Sequence, residues 1–167
     1  FDNLPDMRRF DIANRERKKV ATNINFFPTE SLTFGVNYNY MVDDYNQATF
    51  GLRHQNSQDV TGDINYSPNP SLNLFLFYTY ETGVADQYGR SYTPTIVNSE
   101  LNEARNWFVN SDNIFHTIGV GSKAFFLRKK LSLDTKYTYS EGTSQTNFAA
   151  GSALGSIQGV PDMISQR

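Results

Sequence analysis

One strand pattern occurs three times along this chain of 167 residues, and it limits the fold more than any other feature of the sequence. Each copy opens at a turn, alternates apolar residues with polar or small ones, and closes on a Tyr-x-Tyr pair. The copies occupy residues 31–40, 71–80 and 130–139. A period of two places alternate side chains on opposite faces of a strand, so the pattern predicts three strands with one apolar face each.

The Tyr pairs indicate what the apolar face contacts. A half-buried strand of a soluble sheet also alternates, but it does not need an aromatic pair at the same end of every second strand. Tyrosine favours the boundary between hydrocarbon and headgroups, and membrane barrels carry aromatic girdles there. We therefore predict an interfacial girdle. It comprises Tyr38, Tyr40, Tyr78, Tyr80, Tyr137 and Tyr139.

The predicted fold class is all-β: residues 1–167 form a single partial segment of an antiparallel, up-and-down transmembrane β-barrel. Six strands in three hairpins are expected at about 17–27, 32–42, 57–66, 71–82, 115–126 and 131–140. Long loops are expected at 43–56, 83–113 and 141–167, with a short helix within 98–108. Single-chain barrels start at about eight strands, so the three hairpins are expected to belong to a larger barrel.

Alternation also assigns side chains to the two faces of the sheet. The residues predicted to face lipid are Leu32, Phe34, Val36, Leu72, Leu74, Leu76, Ile118, Val120, Leu131 and Leu133. Phe75 and Phe77 fall on the other face, where a water-filled barrel prefers polar groups. They either contact a protein inserted in the lumen or pack against neighbouring inward side chains. The predicted lumen-facing partner contact comprises Asn73, Phe75, Phe77, Asp134 and Lys136.

Composition argues against several classes of function. The net charge of −2 gives no reason to expect a nucleic-acid partner, and no run of about 18 apolar residues could form a transmembrane helix. The sequence has no Cys and two His, so it cannot attach c-type haem through Cys-x-x-Cys-His. It also lacks the Gly-x-Ser-x-Gly and His-Glu-x-x-His motifs. We therefore predict that the chain is not an enzyme and holds no catalytic, metal or cofactor site.

Two polar features have alternative interpretations. Arg15, Arg17, Lys18 and Lys19 form a basic cluster that either meets lipopolysaccharide phosphates by charge or is a solvated loop base. His116 begins a predicted strand near the long-loop side, and we expect it to be a surface or interfacial residue rather than a metal ligand.

Several segments resemble the decahaem-associated outer-membrane β-barrel family of the MtrB/PioB type. These segments are residues 8–17, 66–81, 116–121 and 137–142. The resemblance covers nearly the whole chain, as an interior portion of a much longer protein. The absence of a signal peptide, and an opening residue, Phe1, that is not Met, agree with the expectation of a fragment.

The resemblance implies a Gram-negative outer-membrane barrel that sheathes a periplasmic decahaem c-type cytochrome. Electrons would cross the membrane through this cytochrome to a surface multihaem cytochrome or a mineral, in extracellular electron transfer. Haem would be bound by the partner and not by this chain, with outer-membrane lipid and lipopolysaccharide around the barrel. The residues alone leave two alternatives open, an outer-membrane porin or substrate-specific channel and a soluble all-β binding module.

Overall fold

The structure, a computed structural model, describes residues 14–93, 95–128 and 130–154, and the backbone of 163–166. The strands are β1 (Glu16–Thr29), β2 (Leu32–Asp44), β3 (Gly51–Asn69), β4 (Leu72–Arg90), β5 (Asn106–Phe126), β6 (Leu131–Ala150) and β7 (Met163–Gln166). All belong to one antiparallel sheet in which each strand pairs with its neighbours in sequence. The all-β, up-and-down fold is confirmed, and the sheet is open in this chain. Within the described ranges, no helix has the length and apolar character needed to span a membrane.

Short turns join the two strands of each hairpin at one end of the sheet. Residues 30–31 connect β1 to β2, and residues 70–71 connect β3 to β4. The turn between β5 and β6 includes a hydrogen bond from the Lys130 N–H to the Leu127 carbonyl, at 3.2 Å. Pro28 lies where the pairing register of β1 and β2 shifts, a position that suits a residue without a backbone N–H.

At the opposite end, the strands are longer than the sequence predicts. The predicted long loops 43–56, 83–113 and 141–167 are wrong in extent, because β3 starts at Gly51, β4 ends at Arg90, β5 starts at Asn106 and β6 continues to Ala150. The predicted number of six strands is also too low, because β7 lies within the last of these loops. Past the Tyr pairs both faces are mostly polar or small, so the alternation that signals a strand fades. Backbone pairing needs no such alternation and continues.

The predicted helix within 98–108 is also wrong. Only one 3₁₀ turn, Glu103–Arg105, forms there, capped by the Asn102 side chain, which accepts a hydrogen bond from the Ala104 N–H. From Asn106 onward the chain is strand, paired with the end of β4. Trp and Phe favour strands, and the neighbouring strand offers backbone partners that a short isolated helix lacks.

The sheet has almost no apolar core of its own. Among the described residues, the buried apolar side chains are Tyr45, Ala48 and Phe50, which lie in the connection between β2 and β3. A sheet with an apolar face normally buries that face against a second layer. The described residues supply no second layer, so the apolar face must meet something else.

Candidate functional site: the two faces of the sheet

All the residues predicted to face lipid or to form the girdle lie on one face of the sheet, here called the tyrosine face. Residues paired across neighbouring strands share a face. One continuous row across β2 to β6 consists of Phe34, Ile64, Leu76, Val120 and Tyr137. The tyrosine face is therefore apolar along all three hairpins, and it carries every Tyr-x-Tyr pair.

The apolar part of the tyrosine face is exposed. Leu76 and Val120 are 40% and 50% exposed, whereas Phe75 and Phe77 on the opposite face are half-buried. Contiguous exposed apolar surface of this extent marks contact with a membrane or another protein. The structure therefore exposes the apolar face that the sequence pattern predicts, as a membrane protein does.

The three Tyr pairs are staggered relative to the rows of the sheet. Tyr80, the second Tyr of its pair, shares a row with Tyr38, the first Tyr of the preceding pair. Tyr139 likewise shares a row with Tyr78. Each pair is therefore displaced by two residues toward the short turns relative to the pair before it.

This stagger measures the tilt that would bring all three pairs to the same depth. Two residues correspond to about 6.7 Å along a strand, and two strand spacings to about 9.6 Å across the sheet. The ratio gives a tilt of about 35°, at the lower end of the range of about 35–45° found in transmembrane barrels. The Tyr pairs would then form a level girdle.

The same tilt gives the height of the apolar band, defined as the stretch from Leu72 to Tyr80 and its equivalents on β2 and β6. Eight residue steps span about 26 Å along the strand, or about 22 Å along the axis of a barrel with that tilt. Outer-membrane barrels have an apolar band about 25 Å tall. Beyond the band the tyrosine face becomes mostly polar, with Asn56, Asp112 and Gln145 in one row.

The five residues of the predicted partner contact lie together on the opposite face. They are Asn73, Phe75 and Phe77 on β4 and Asp134 and Lys136 on β6. Lys123 of β5 lies between the two strands, with its Nζ 3.4 Å from Asp134 Oδ2. The Lys136 Nζ lies 5.3 Å from the centre of the Phe77 ring.

The rings of Phe75 and Phe77, both in the predicted partner contact, lie over glycines of β5. Phe77 is paired with Gly119 and Phe75 with Gly121, and a Cβ on either glycine would overlap the ring. The rings therefore lie against the sheet instead of projecting from it. This arrangement favours packing within the wall over a ring that reaches into the lumen, and it leaves a surface of low relief.

Two further aromatic–glycine pairs were missed by sequence reasoning. Phe115 covers Gly142, and Trp107 covers Gly89, each directly across a strand pair on the same face. The partners are separated by 18 to 27 residues in sequence. Only the register reveals them, because neither member is distinctive alone.

The opposite face is polar on β1 to β3. Asp63 accepts hydrogen bonds from Asn37 at 3.4 Å and from Asn65 at 2.8 Å, and Asn39 donates to Asp59 at 3.0 Å. These contacts form a ladder of side-chain hydrogen bonds across neighbouring strands. The opposite face thus has a polar half on β1 to β3 and an aromatic half on β4 to β6.

Both histidines lie on the tyrosine face. His116 Nδ1 is 2.7 Å from the Tyr78 hydroxyl, and its ring centre is 5.1 Å from that of Tyr80. His54 Nδ1 is 2.7 Å from Asp44 Oδ1, in the polar region past the apolar band. Across the part of the chain that the structure describes, no three His, Cys, Asp or Glu side chains are arranged to hold a metal ion.

The basic cluster is divided between the two faces. Arg17 donates to both carboxylate oxygens of Asp43, at 2.6 and 2.7 Å, and Arg15 lies 3.6 Å from the same carboxylate. These partners lie beyond the apolar band. The hydrogen bonds from Arg17 lower the pKa of Asp43 against the opposing effect of burial, since Asp43 is only 2% exposed. Lys18 and Lys19 alternate along β1, so only Lys18 lies on the tyrosine face.

The whole chain matches a family model. The family is described as "Putative outer membrane beta-barrel porin, MtrB/PioB", and its model matches residues 1–167. This chain belongs to the MtrB/PioB family. The MtrB/PioB assignment confirms the predicted outer-membrane location and identifies the sheet as a segment of a β-barrel wall. It also overturns the alternative of a soluble binding module.

A curated relative of this MtrB/PioB chain is "Outer membrane protein MtrB" of Shewanella baltica (strain OS185), which is 29% identical over 148 residues. The match covers 87% of this chain and 20% of the relative. The chain therefore spans about a fifth of the length of the relative that it matches. The family description is that of a porin and not of an enzyme.

Proposed function

We propose that this chain forms part of the wall of a large outer-membrane barrel that holds a multihaem c-type cytochrome in its lumen. The tyrosine face contacts lipid, and the opposite face lines the lumen. The cytochrome carries electrons across the membrane, and the barrel excludes lipid from it and holds it in place. The redox potentials are set by the ligands and surroundings of the haems rather than by ligands from the barrel.

The assignment of the faces rests on the apolar band. With the Tyr pairs at one depth, the register and standard strand spacings give a tilt of about 35° and a band about 22 Å tall, and both suit a barrel in an outer membrane. The Tyr pairs then meet the outer interface, and the longer ends of β3 to β6 extend past it. The short turns lie on the periplasmic side, as in other barrels of this type.

The observation that carries the sheath proposal is the aromatic half of the opposite face. A water-filled pore is lined by polar side chains, because apolar lining gains nothing from contact with water. Here Phe75, Phe77 and Phe115 occupy that face, and each ring lies over a glycine. The result is a wall of low relief in which flat rings lie beside Lys123, Asp134 and Lys136. Such a mixed surface suits a closely fitting protein better than a column of water.

The haem-binding role falls to the partner in this proposal. The chain contains no Cys, and its two histidines, His54 and His116, both lie on the tyrosine face, away from the lumen. Each is hydrogen-bonded to a neighbouring side chain. Neither histidine is therefore placed to ligate a haem in the lumen.

The first experiment is a detergent pull-down of the full-length protein from outer membranes, analysed by haem-stained gel and visible spectrum. A stoichiometric c-type cytochrome is the expected result. Replacing Phe75 and Phe77 together by Ser should lower the amount of haem per barrel, because it removes apolar wall facing the cytochrome. The matched control replaces Asn37 and Asn39 by Ser, on the same face but in the polar half, and should retain the cytochrome.

A haem-free barrel that conducts ions in a planar bilayer would overturn the sheath proposal. Gel migration of unheated and heated samples distinguishes this result from misfolding. A folded barrel resists detergent until it is heated, so only a folded sample changes its migration on heating. If both pairs of substitutions released the cytochrome equally, the aromatic half would have no special role in holding it.

The second candidate function is a porin or substrate-specific channel. It is favoured by the hydrogen-bonded ladder of Asn and Asp side chains on β1 to β3. A channel of this kind should conduct without a partner, and substitutions in the ladder, such as Asp59→Asn, should change its ion selectivity. The sheath should instead conduct poorly while its cytochrome is bound.

A further inference from the structure

Gly62 differs from the four glycines that a directly paired aromatic ring covers. The covered pairs on the opposite face are Phe75 with Gly121, Phe77 with Gly119, Phe115 with Gly142 and Trp107 with Gly89. Gly62 lies on the tyrosine face and is paired with Tyr78 in the same manner. Yet a Cβ added to Gly62 would meet no atom within 4 Å. The space above Gly62 is therefore open.

The position of the Tyr78 ring explains the opening. Its hydroxyl is 2.7 Å from His116 Nδ1, and the two ring centres are 6.2 Å apart with the planes 29° from parallel. His116 lies on β5, on the side of β4 away from Gly62. The hydrogen bond thus holds the Tyr78 ring toward β5, whereas the Phe rings of the covered pairs have no hydroxyl to hold them elsewhere.

The opening is part of an apolar groove of about 340 Å³ across β2 to β5. Its apolar side chains on the tyrosine face are Phe34, Val36, Ile64, Leu76, Tyr78 and Ile118. Gly62 forms the floor. The groove lies inside the apolar band, where the proposed membrane position leaves only hydrocarbon to fill it. On one side it is lined by Tyr78, a member of the girdle.

We propose that this groove is a binding site for one acyl chain of an outer-membrane lipid, held open by the hydrogen bond between Tyr78 and His116. The proposal rests on the lipid-facing assignment of the tyrosine face. An acyl chain matches the apolar lining, is present at this depth in the membrane, and fills the groove without burying a polar group. Lipid in the groove exchanges more slowly than lipid beside the flat parts of the wall.

The test is photo-crosslinking of the full-length barrel. The barrel is placed in vesicles of phosphatidylethanolamine and phosphatidylglycerol with a small fraction of phosphatidylcholine that carries a diazirine in the middle of one acyl chain. Crosslinked peptides are then mapped by mass spectrometry. Groove peptides containing Val36 or Ile118 should be labelled several-fold more than peptides containing Leu131 and Leu133, which belong to the flat apolar band.

Substitutions identify the groove as the cause. Gly62→Leu fills the floor and should reduce groove labelling to the level of the flat band. Val60→Leu is the matched control, because Val60 lies on the same strand and face but outside the groove lining, and it should leave the labelling unchanged. Tyr78→Phe, which lacks the hydroxyl, should also lower groove labelling because its ring is free to turn over Gly62.

The possible failures are distinguishable. If the flat band is labelled but Gly62→Leu changes nothing, the groove holds no lipid and this inference is wrong, while the proposed membrane position stands. If no peptide of the tyrosine face is labelled, that face does not meet lipid and the proposed function fails with it. A third result would also overturn the proposal. If the flat band is labelled, the groove is not, and native mass spectra show a stable barrel–protein complex, then a protein occupies the groove.

Discussion

Replacing Gly119 by Ala tests the contact between the aromatic half of the wall and its glycines. A Cβ at this position would overlap the Phe77 ring, so the ring must leave its place. The matched control is Gly83→Ala on β4, on the same face, where the nearest contact of a new Cβ is the Asn56 carbonyl oxygen at 3.6 Å. That distance is ordinary van der Waals contact, so Gly83→Ala forces nothing to move.

The expected magnitudes follow from two opposing effects. Overpacking of this kind costs about 1–3 kcal/mol. Removing a glycine from the interior of a strand stabilises it by about 0.5–1 kcal/mol. Gly119→Ala should therefore lower the free energy of unfolding by up to about 2.5 kcal/mol, and Gly83→Ala should raise it by about 0.5–1 kcal/mol. In a Phe77→Ala background the overlap is gone, so Gly119→Ala should become as favourable as the control.

The assay is reversible guanidinium unfolding of the full-length barrel in lipid vesicles, followed by tryptophan fluorescence. The double-mutant cycle should give a coupling of about 1–3 kcal/mol between positions 77 and 119, as expected for residues in direct contact. Equal effects of Gly119→Ala and Gly83→Ala would refute the argument. So would an effect of Gly119→Ala that persists unchanged when Phe77 is Ala.

Two predictions concern the tilt of the strands and the end of β2. Trp substituted for Tyr80 or for Tyr139 should be quenched equally by lipids brominated in the middle of the acyl chain, because a tilt of about 35° brings both to one depth. Trp at Glu141, which shares a row with Tyr80, should be quenched less; equal quenching at 80 and 141 would mean untilted strands. The pKa of Asp43 is lowered from its ordinary value of 3.8, so its contribution to stability is intact above that pH and is lost as the pH falls through the lower folded value. Hydrogen exchange of the amides at 16–19, at the end of β1 that Arg17 holds to Asp43, should accelerate only at such acidic pH. Asp43→Asn should accelerate it already at neutral pH; exchange of the wild type that rises between pH 7 and 5 would contradict this.

The short-range pattern of the sequence was enough to predict the hairpins and the sharing of faces. Alternation is a property of each strand alone, so it placed Leu76 and Tyr78 on one face and Phe75 on the other before any pairing was known. The prediction of strand ends failed where this alternation of apolar and polar residues fades. The ends of β3 to β6 continue as strands because of backbone pairing with neighbours, and no local signal marks that pairing.

The apolar face closed by Tyr pairs can be read from the amino-acid order, because these features depend on residues within ten positions of one another. The two-residue stagger of the Tyr pairs, the covering of Gly119 by Phe77 and the uncovered Gly62 are visible only in the folded sheet. Each of these relates residues on different strands, and their meeting depends on register. Register is fixed by backbone hydrogen bonds and turn geometry across the whole sheet, and a shift of one residue would move every side chain of a strand to the other face.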